Sequence, residues 1–415
     1  MDLNFTEKNL PVIIVGTGPA GLMAGTVLAQ NRVPVKFIER HAGVGRKLLI
    51  AGSSGLNISF SEPIEKAVTR YRGDGLDWRQ LLSSFGTEQW LHFIRTHLNL
   101  ETFEGTSRRH FVKEMKASGL VKSWVSYLKE LGAEFVLDHE LIGFECVPGV
   151  TVKLQSKLPL QREIVELKAR AVVLALGGAS WEFKNQEVRW PKVLQEKGIE
   201  LVPFESSNCG FLVDWPEGLK KEAEGKPLKN IVFESSRGTC AGELMITNYG
   251  LEGTPIYSYG EVGECYLDLK PGLTKQKLTE KLNEKLNEKL ARKAENLSPI
   301  RRVQKSAGLC EASQALLYHL TDAADRADLD RLIDKVKRLP VSLVAKQSLE
   351  FAISSQGGVK LSELSSDFEL AKCPGVYAIG EMLDWDTITG GYLIQACVSQ
   401  GAWVGSALAR NRVMY

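Results

Sequence analysis

Three short runs in this chain are apolar at nearly every position, and each leads into glycine: Pro11-Val-Ile-Ile-Val15, Ala171-Val-Val-Leu-Ala175 and Gly375-Val-Tyr-Ala-Ile-Gly380. A strand with no polar side cannot leave either face in water, so these runs predict strands buried on both faces of a parallel sheet. After the first, Leu22 to Gln30 is rich in Ala, Leu and Met with no breaker, which predicts a helix, and Val33 to Ile38 reads as the next strand. That makes one β-α-β unit ending at Glu39. Tyr392 to Arg410 reads as a closing helix.

Between these runs the texture differs. Residues 41–60 are rich in Gly and Ser and predict a long loop, while Trp78 to Leu98 and Gly119 to Leu131 carry helical spacing. Glu134 to Leu137, Ile142 to Cys146, Val150 to Leu154 and Glu163 to Leu167 alternate like small antiparallel strands. From Leu201 to Asp268 Pro, Gly, Thr and Tyr become frequent, as in a β segment with many turns. Thr274 to Asn296 then repeats Glu-Lys-Leu-Asn, stacking Leu278, Leu282, Leu286 and Leu290 on one face of an amphipathic, solvated helix, and helical pattern continues to Leu339. The predicted architecture is α/β. A Rossmann-like domain with a parallel sheet, residues 1–200 and 357–415, is interrupted by a β-rich insertion (201–272 and 340–356) and a helical insertion (273–339).

At 415 residues the chain is longer than one compact domain usually runs, and its 44% hydrophobic and 25% charged residues are ordinary globular usage. Lys and Arg (52) nearly balance Asp and Glu (50), a net +2 that argues against a nucleic-acid partner. No apolar run approaches the roughly 18 to 20 residues needed to span a bilayer, and Met1 to Leu10 lacks the features of a signal peptide. The expectation is a cytoplasmic protein with no membrane partner. Seven scattered cysteines contain no C-x-x-C and no His at ligand spacing, which speaks against structural zinc, a disulfide scaffold or a dithiol relay; no metal is expected. None of the six histidines sits in an acid-base motif, so no catalytic residue is assigned.

Gly16-x-Gly18-x-x-Gly21 is a dinucleotide fingerprint: the first glycine makes the tight turn, the second lets backbone approach the pyrophosphate, the third lets helix and strand pack closely. In a chain with 38 glycines the bare pattern means little. Context strengthens it, because it follows an apolar strand, opens a helix, and is answered by Glu39 at the end of the second strand, where a carboxylate accepts both ribose hydroxyls. An acid there disfavours a 2′-phosphate, leaving FAD or NAD. Ala175-Leu-Gly-Gly178, and Gly380-Glu381 followed by Thr389-Gly-Gly391, favour FAD, which needs backbone approach at its ribityl and ring ends as well.

With these residues the chain resembles the two-dinucleotide-binding-domain flavoproteins, and within them the BaiN-like NAD(P)/FAD-dependent oxidoreductases. The resemblance covers nearly the whole chain. It rests on Val15 to Met23, Gly45-Arg-Lys-Leu-Leu-Ile50 leading to Asn57, Lys116-Ala-Ser118, Thr247-x-x-Gly-x-x-Gly253, Gly357-Gly-Val359, Gly380-Glu-Met-Leu-Asp384, Thr389-Gly-Gly-Tyr392 and Gln395. It implies FAD, with NAD(P)H as electron donor and a small organic substrate whose conjugated C=C bond is reduced. The cofactor contacts it nominates are Gly16, Gly18, Pro19, Ala20 and Gly21, then Glu39 and Arg40, then Arg46 and Lys47 as neutralisers of the pyrophosphate. Further on come Gly55, Leu56 and Asn57; Leu141; Ala175, Leu176 and Gly177; Gly380, Glu381 and Asp384; and Gly390, Gly391 and Tyr392. Glu381 is expected to accept a ribityl hydroxyl, and Gly390 and Gly391 to face the flavin pyrimidine edge.

One loop departs from the pattern. Where the family usually reads Ser-Gly-Gly-Gly-Arg-Cys-Asn-Leu, this chain has Ala51-Gly-Ser-Ser-Gly-Leu-Asn-Ile58, so Gly55 and Leu56 replace the Arg and the Cys. The basic run Arg108, Arg109, His110, Lys113 and Lys116 is either a solvated face or a receiver for an NADPH phosphate or anionic substrate. Three alternatives stay open: a nicotinamide-only dehydrogenase, which would purify colourless; a flavin-dependent tRNA-modifying enzyme, disfavoured by net charge; and a non-catalytic flavin sensor, which would reoxidise with no acceptor.

Overall fold

The structure is a computed structural model that describes residues 10–52, 55–147, 149–158, 163–181, 188–287 and 297–410. Its first unit is organised by five parallel strands: β1 (Val12–Val15), β2 (Val35–Ile38), β3 (Glu134–Val136), β4 (Ala171–Leu174) and β5 (Val376–Ala378), in the spatial order β5-β4-β1-β2-β3. Val12 is aligned with Ala171 on one side and Val35 on the other, and Val172 with Val376. Every residue of β1, β4 and β5 is buried, as wholly apolar runs require. The last run therefore joins the first sheet, one strand removed from β1. Helix α1 (Pro19–Gln30) follows β1, a short α2 (Arg46–Ala51) follows β2, and α3 (Tyr392–Arg410) closes the unit.

Three sequence expectations change. Residues 41–60 are not a plain loop: they hold α2, entered through Gly45 at φ +70°, and a strand Asn57–Phe60 that pairs antiparallel with Arg109–Val112. Glu134 to Leu137 is not an antiparallel strand. It forms β3, at the edge of the parallel sheet, where one side stays solvated and the residues look alternating. Trp78 to Leu98 is two helices, Trp78–Ser84 and Thr87–Thr96, parted at Gly86; the Asp77 carboxylate caps the first by accepting from Gln80 N–H at 2.9 Å. The remaining alternating runs form a three-stranded antiparallel sheet, His139–Glu145, Val150–Ser156 and Ile164–Ala169.

The chain divides into two compact units, one running to Glu205 and resuming at Ile353, the other Ser206–Ala352. The sequence expectation divides at Leu201 and Gly357. The few residues between belong to the first unit because strand Leu201–Ser207 pairs with Ser354–Val359. The second unit has a seven-stranded sheet, and among its helices are Lys275–Asn287, Pro299–Ala307 and Leu329–Lys337. Strands and helices share one core, including Phe233, Leu267, Leu316 and Val336. Leu278 and Leu282 are buried in that core, so the repeat helix is solvated only on its polar side; the Leu286 side chain and Leu290 lie outside the described residues. Among the described residues no helix is long and apolar enough to cross a membrane.

Candidate functional site

A cleft in the first unit runs over the C-terminal ends of β1, β2, β4 and β5, the edge at which an open parallel sheet presents its loops. Its floor is the turn from β1 into α1. Gly16 has φ +104°, and a Cβ on it would lie 2.1 Å from the Ala175 carbonyl oxygen, so only glycine lets this turn cross the end of β4. Gly18 differs. It caps α1 at φ −74° and ψ 178°, and a Cβ there would meet nothing within 4 Å. No side chain among the described residues caps α1, Pro19 fills a first-turn position whose N–H would be idle, and the first turn carries no acid. Bare N–H donors thus face open space at the positive end of a twelve-residue helix.

At the end of β2 the Glu39 carboxylate is only 8% exposed. Its Oε2 accepts from Thr17 N–H at 3.3 Å and from the Thr17 hydroxyl, and its Oε1 accepts from His41 N–H at 3.0 Å. Burial pushes its pKa up, and the Thr17 and His41 hydrogen bonds oppose that. Burial, then the positive charges of Arg40, Arg46 and Lys157, bring His41 down to about 4, so it is neutral near pH 7 and its Nε2 accepts from the Arg46 guanidinium at 3.1 Å.

The opposite end of the cleft is held by the loop after β4. Lys47 Nζ donates to the Gly178 carbonyl at 2.5 Å, and Glu381 accepts from Gly178 N–H at 3.3 Å and from Ser355 N–H at 3.1 Å. Glu381 therefore ties the β4 and β5 loops together, and Lys47 anchors α2 to the same loop. Cys397 lines the cleft beside Glu381, its thiol pushed far up by burial.

Of the residues nominated from sequence, Gly16, Gly18, Pro19, Ala20, Glu39, Arg40, Arg46, Lys47, Leu141, Ala175, Leu176, Gly177, Gly380 and Glu381 line this one cleft. Gly21 lies beneath it, where a Cβ would stand 2.3 Å from the Gly16 carbonyl. The others sit elsewhere in the unit. Gly55, at φ +134°, abuts Met115; Leu56 is buried; and Asn57 Oδ1 is a buried acceptor with no partner among the described residues. Asp384 donates its N–H to Val359 O at 2.8 Å, its carboxyl pushed up by burial. Gly390 lies against the Arg109 guanidinium, and Gly391 packs so closely on the Ser59 backbone that a Cβ there would lie 2.7 Å from the Ser59 nitrogen. Tyr392 stacks on Phe60 and donates to Glu62 at 2.7 Å, lining a separate cavity of about 480 Å³ with Ser59, Tyr71 and Gln395.

The cleft also contains Thr17, from within the fingerprint, and His41, Trp181, Arg189 and Trp190, which carry no motif. Thr17 was accessible to reasoning, since the residue between the first two fingerprint glycines must face the acid at the end of β2. Trp190 Nε1 is buried and has no partner among the described residues. The cleft fits a dinucleotide: open space in front of bare helix donors for a pyrophosphate, a strand-end acid for a ribose, and glycine at the crossing points.

The family model described as "HI0933-like protein Rossmann domain" matches residues 10–407. Among curated proteins, the ribosomal RNA dihydrouridine synthase of Escherichia coli strain K12 is 24% identical over 412 residues, covering 95% of this chain and 97% of that protein. The 3-dehydro-bile acid delta(4,6)-reductase of Clostridium scindens is 23% identical over 422 residues, covering 96% and 98%. Among solved structures, the 3-ketosteroid-delta4-(5alpha)-dehydrogenase of Rhodococcus jostii RHA1 aligns with a TM-score of 0.52 at 14% identity over 96% of each chain. The 3-ketosteroid delta1-dehydrogenase of Sterolibacterium denitrificans aligns at 0.53 and 11%, over 97% of this chain and 99% of that one. These two show a shared fold.

Proposed function

The chain belongs to the HI0933-like Rossmann-domain family of flavoprotein oxidoreductases, and on that premise we propose that it uses bound FAD to carry a hydride from NAD(P)H to the conjugated C=C bond of a small organic acceptor. The observation that carries the reading is the cleft floor: an uncapped α1 N-terminus behind an unobstructed Gly18, with the buried Glu39 carboxylate at the neighbouring strand end.

In this reading the N–H groups of the first α1 turn hold the pyrophosphate, and Arg46 and Lys47 offset its charge. Glu39 receives the adenosine ribose hydroxyls; a carboxylate has about four acceptor positions, of which three are engaged by Thr17 and His41, and the hydroxyls supplement or displace the longest of these. Glu381 and Lys47 fix the loop Ala175–Gly178 so that its backbone stays put when the ligand arrives. Asn57 Oδ1, Gly390 and Gly391 are assigned to the ring end, and Leu141 to the adenosine end. The nicotinamide donor suits a cytoplasmic protein.

The chemistry shared by two relatives supports this acceptor class. A dihydrouridine is a uridine whose ring double bond has gained two hydrogens, and a delta(4,6)-reductase adds hydrogen to steroid double bonds. Both are reductions of a C=C bond conjugated to a carbonyl. The rRNA relatives favour a second reading, reduction of a uridine base in RNA, against which stands a net charge of only +2. An anaerobic assay following NADH or NADPH consumption with conjugated steroid enones, and separately with unmodified ribosomal RNA, discriminates. Turnover with an enone supports the first reading; turnover with RNA alone replaces it with the second; reduction of the flavin with no acceptor able to reoxidise it leaves a flavin sensor.

A further inference from the structure

Cys146 and Cys373 are far apart in the chain yet share one corner of the first unit. Cys146 follows the strand His139–Glu145, whose last residue pairs with Thr151, so it stands opposite Val150 at the start of the hairpin turn. Val150 Cγ2 lies 2.8 Å from where a Cβ on Gly375 would be, and Gly375 belongs to the turn that Val376 N–H closes on the Cys373 carbonyl at 3.0 Å. Lys197 Nζ donates to Glu145 at 2.8 Å, and Lys372 Nζ donates to the Gly198 carbonyl at 2.7 Å. The neighbours of both cysteines thus converge on the Lys197-Gly198 turn, and the Cys373 thiol lies near enough to Cys146 to help push its thiol up. Both are free; Cys373 is 2% exposed and Cys146 is half-buried.

We propose that Cys146 and Cys373 form a reversible oxidation site, closing an intramolecular disulfide by exchange with a low-molecular-weight disulfide. Cys146, the accessible member, attacks the small disulfide as thiolate, forms a mixed disulfide and expels one small thiol. Cys373 then loses its proton, attacks Cys146 Sγ and expels the second. The protein gives up two electrons and two protons, and the small disulfide becomes two thiols. Burial, then the neighbouring thiol, hold Cys146 up at about 12, so little thiolate is present near pH 7 and exchange is slow. The cross-link fastens the hairpin turn to the start of β5, the strand that leads to Gly380 and Glu381 at the cleft.

The test is prolonged incubation of the full chain with excess oxidised glutathione, followed by peptide mapping and thermal melting. The expected product joins the peptides carrying Cys146 and Cys373, is reversed by dithiothreitol, and melts at a higher temperature than the reduced chain. Cys310→Ser, at an exposed thiol, should form the same link. Cys373→Ser should stop at a glutathione adduct on Cys146. Cys146→Ser should form no link, and it carries the test if the buried replacement at 373 does not fold. Parent protein in which both thiols stay free, or in which each is capped by glutathione without joining, overturns the proposal.

Discussion

Gly18→Ala separates binding from folding. At φ −74° the backbone accepts alanine without strain, and the added methyl enters empty space. Alanine is a poorer N-cap than glycine by about 0.5 to 1 kcal/mol, while removing a glycine from the unfolded chain returns about 0.4 to 1 kcal/mol, so the net change in stability is within about 0.5 kcal/mol. That empty space is where a pyrophosphate would accept hydrogen bonds from the α1 N-terminus. A methyl there forces the phosphate outward; losing two charge-assisted bonds at about 1.5 to 3 kcal/mol each weakens FAD by about two to four orders of magnitude. Melting of the flavin-free proteins measures the first term, and titration with FAD followed by quenching of its fluorescence measures the second. If Gly18→Ala melts like the parent and binds FAD as tightly, the phosphate is not on this turn.

Gly16→Ala should instead destabilise the chain, because its Cβ would overlap the Ala175 carbonyl at a φ of +104°; chemical denaturation, or loss of soluble protein on expression, reads this. Glu39→Gln keeps one acceptor oxygen but puts an NH2 towards Thr17 or His41 and removes the charge, so FAD affinity by titration should fall by about one to two orders of magnitude while the chain stays folded. Glu39→Ala is the harsher variant, since it leaves buried N–H groups without an acceptor. His41 has a folded pKa near 4 against about 6.5 when unfolded, so below 6.5 the unfolded state takes up the proton first and stability falls as pH drops towards 4. Melting temperatures of His41→Asn should fall less over that window than those of the parent; equal slopes would remove His41 as the cause.

The β1-α1-β2 unit with Glu39, and the strands β4 and β5, were legible because a strand covered on both faces has no polar position to confuse its reading. The edge strand β3 was not, since half-solvated parallel and antiparallel strands alternate alike and only tertiary pairing tells them apart. The segment from Gly45 to Phe60 read as loop because α2 is six residues long and its following strand four, too short for periodicity to emerge among so many Gly and Ser. Fourteen of the nominated cofactor residues meet in one cleft because fingerprint glycines and strand ends are tied to sheet geometry. Trp181, Arg189 and Trp190 reach it from a connection with no motif. Lys47 and Glu381, nominated as ligand contacts, also bond the Gly178 backbone, a second role the sequence does not show because it depends on where a distant loop folds back.

In the proposed function, the cleft over Gly16, Gly18 and Glu39 holds FAD for redox chemistry. The visible spectrum of the purified chain, reconstituted with FAD and freed of excess by gel filtration, then mixed with NADH or NADPH without oxygen, tests it most directly. One FAD per chain should be retained, its visible band should bleach with one of the two donors, and Gly18→Ala should lose it. A chain that retains no flavin, or a Gly18→Ala variant that retains it in full, contradicts this reading.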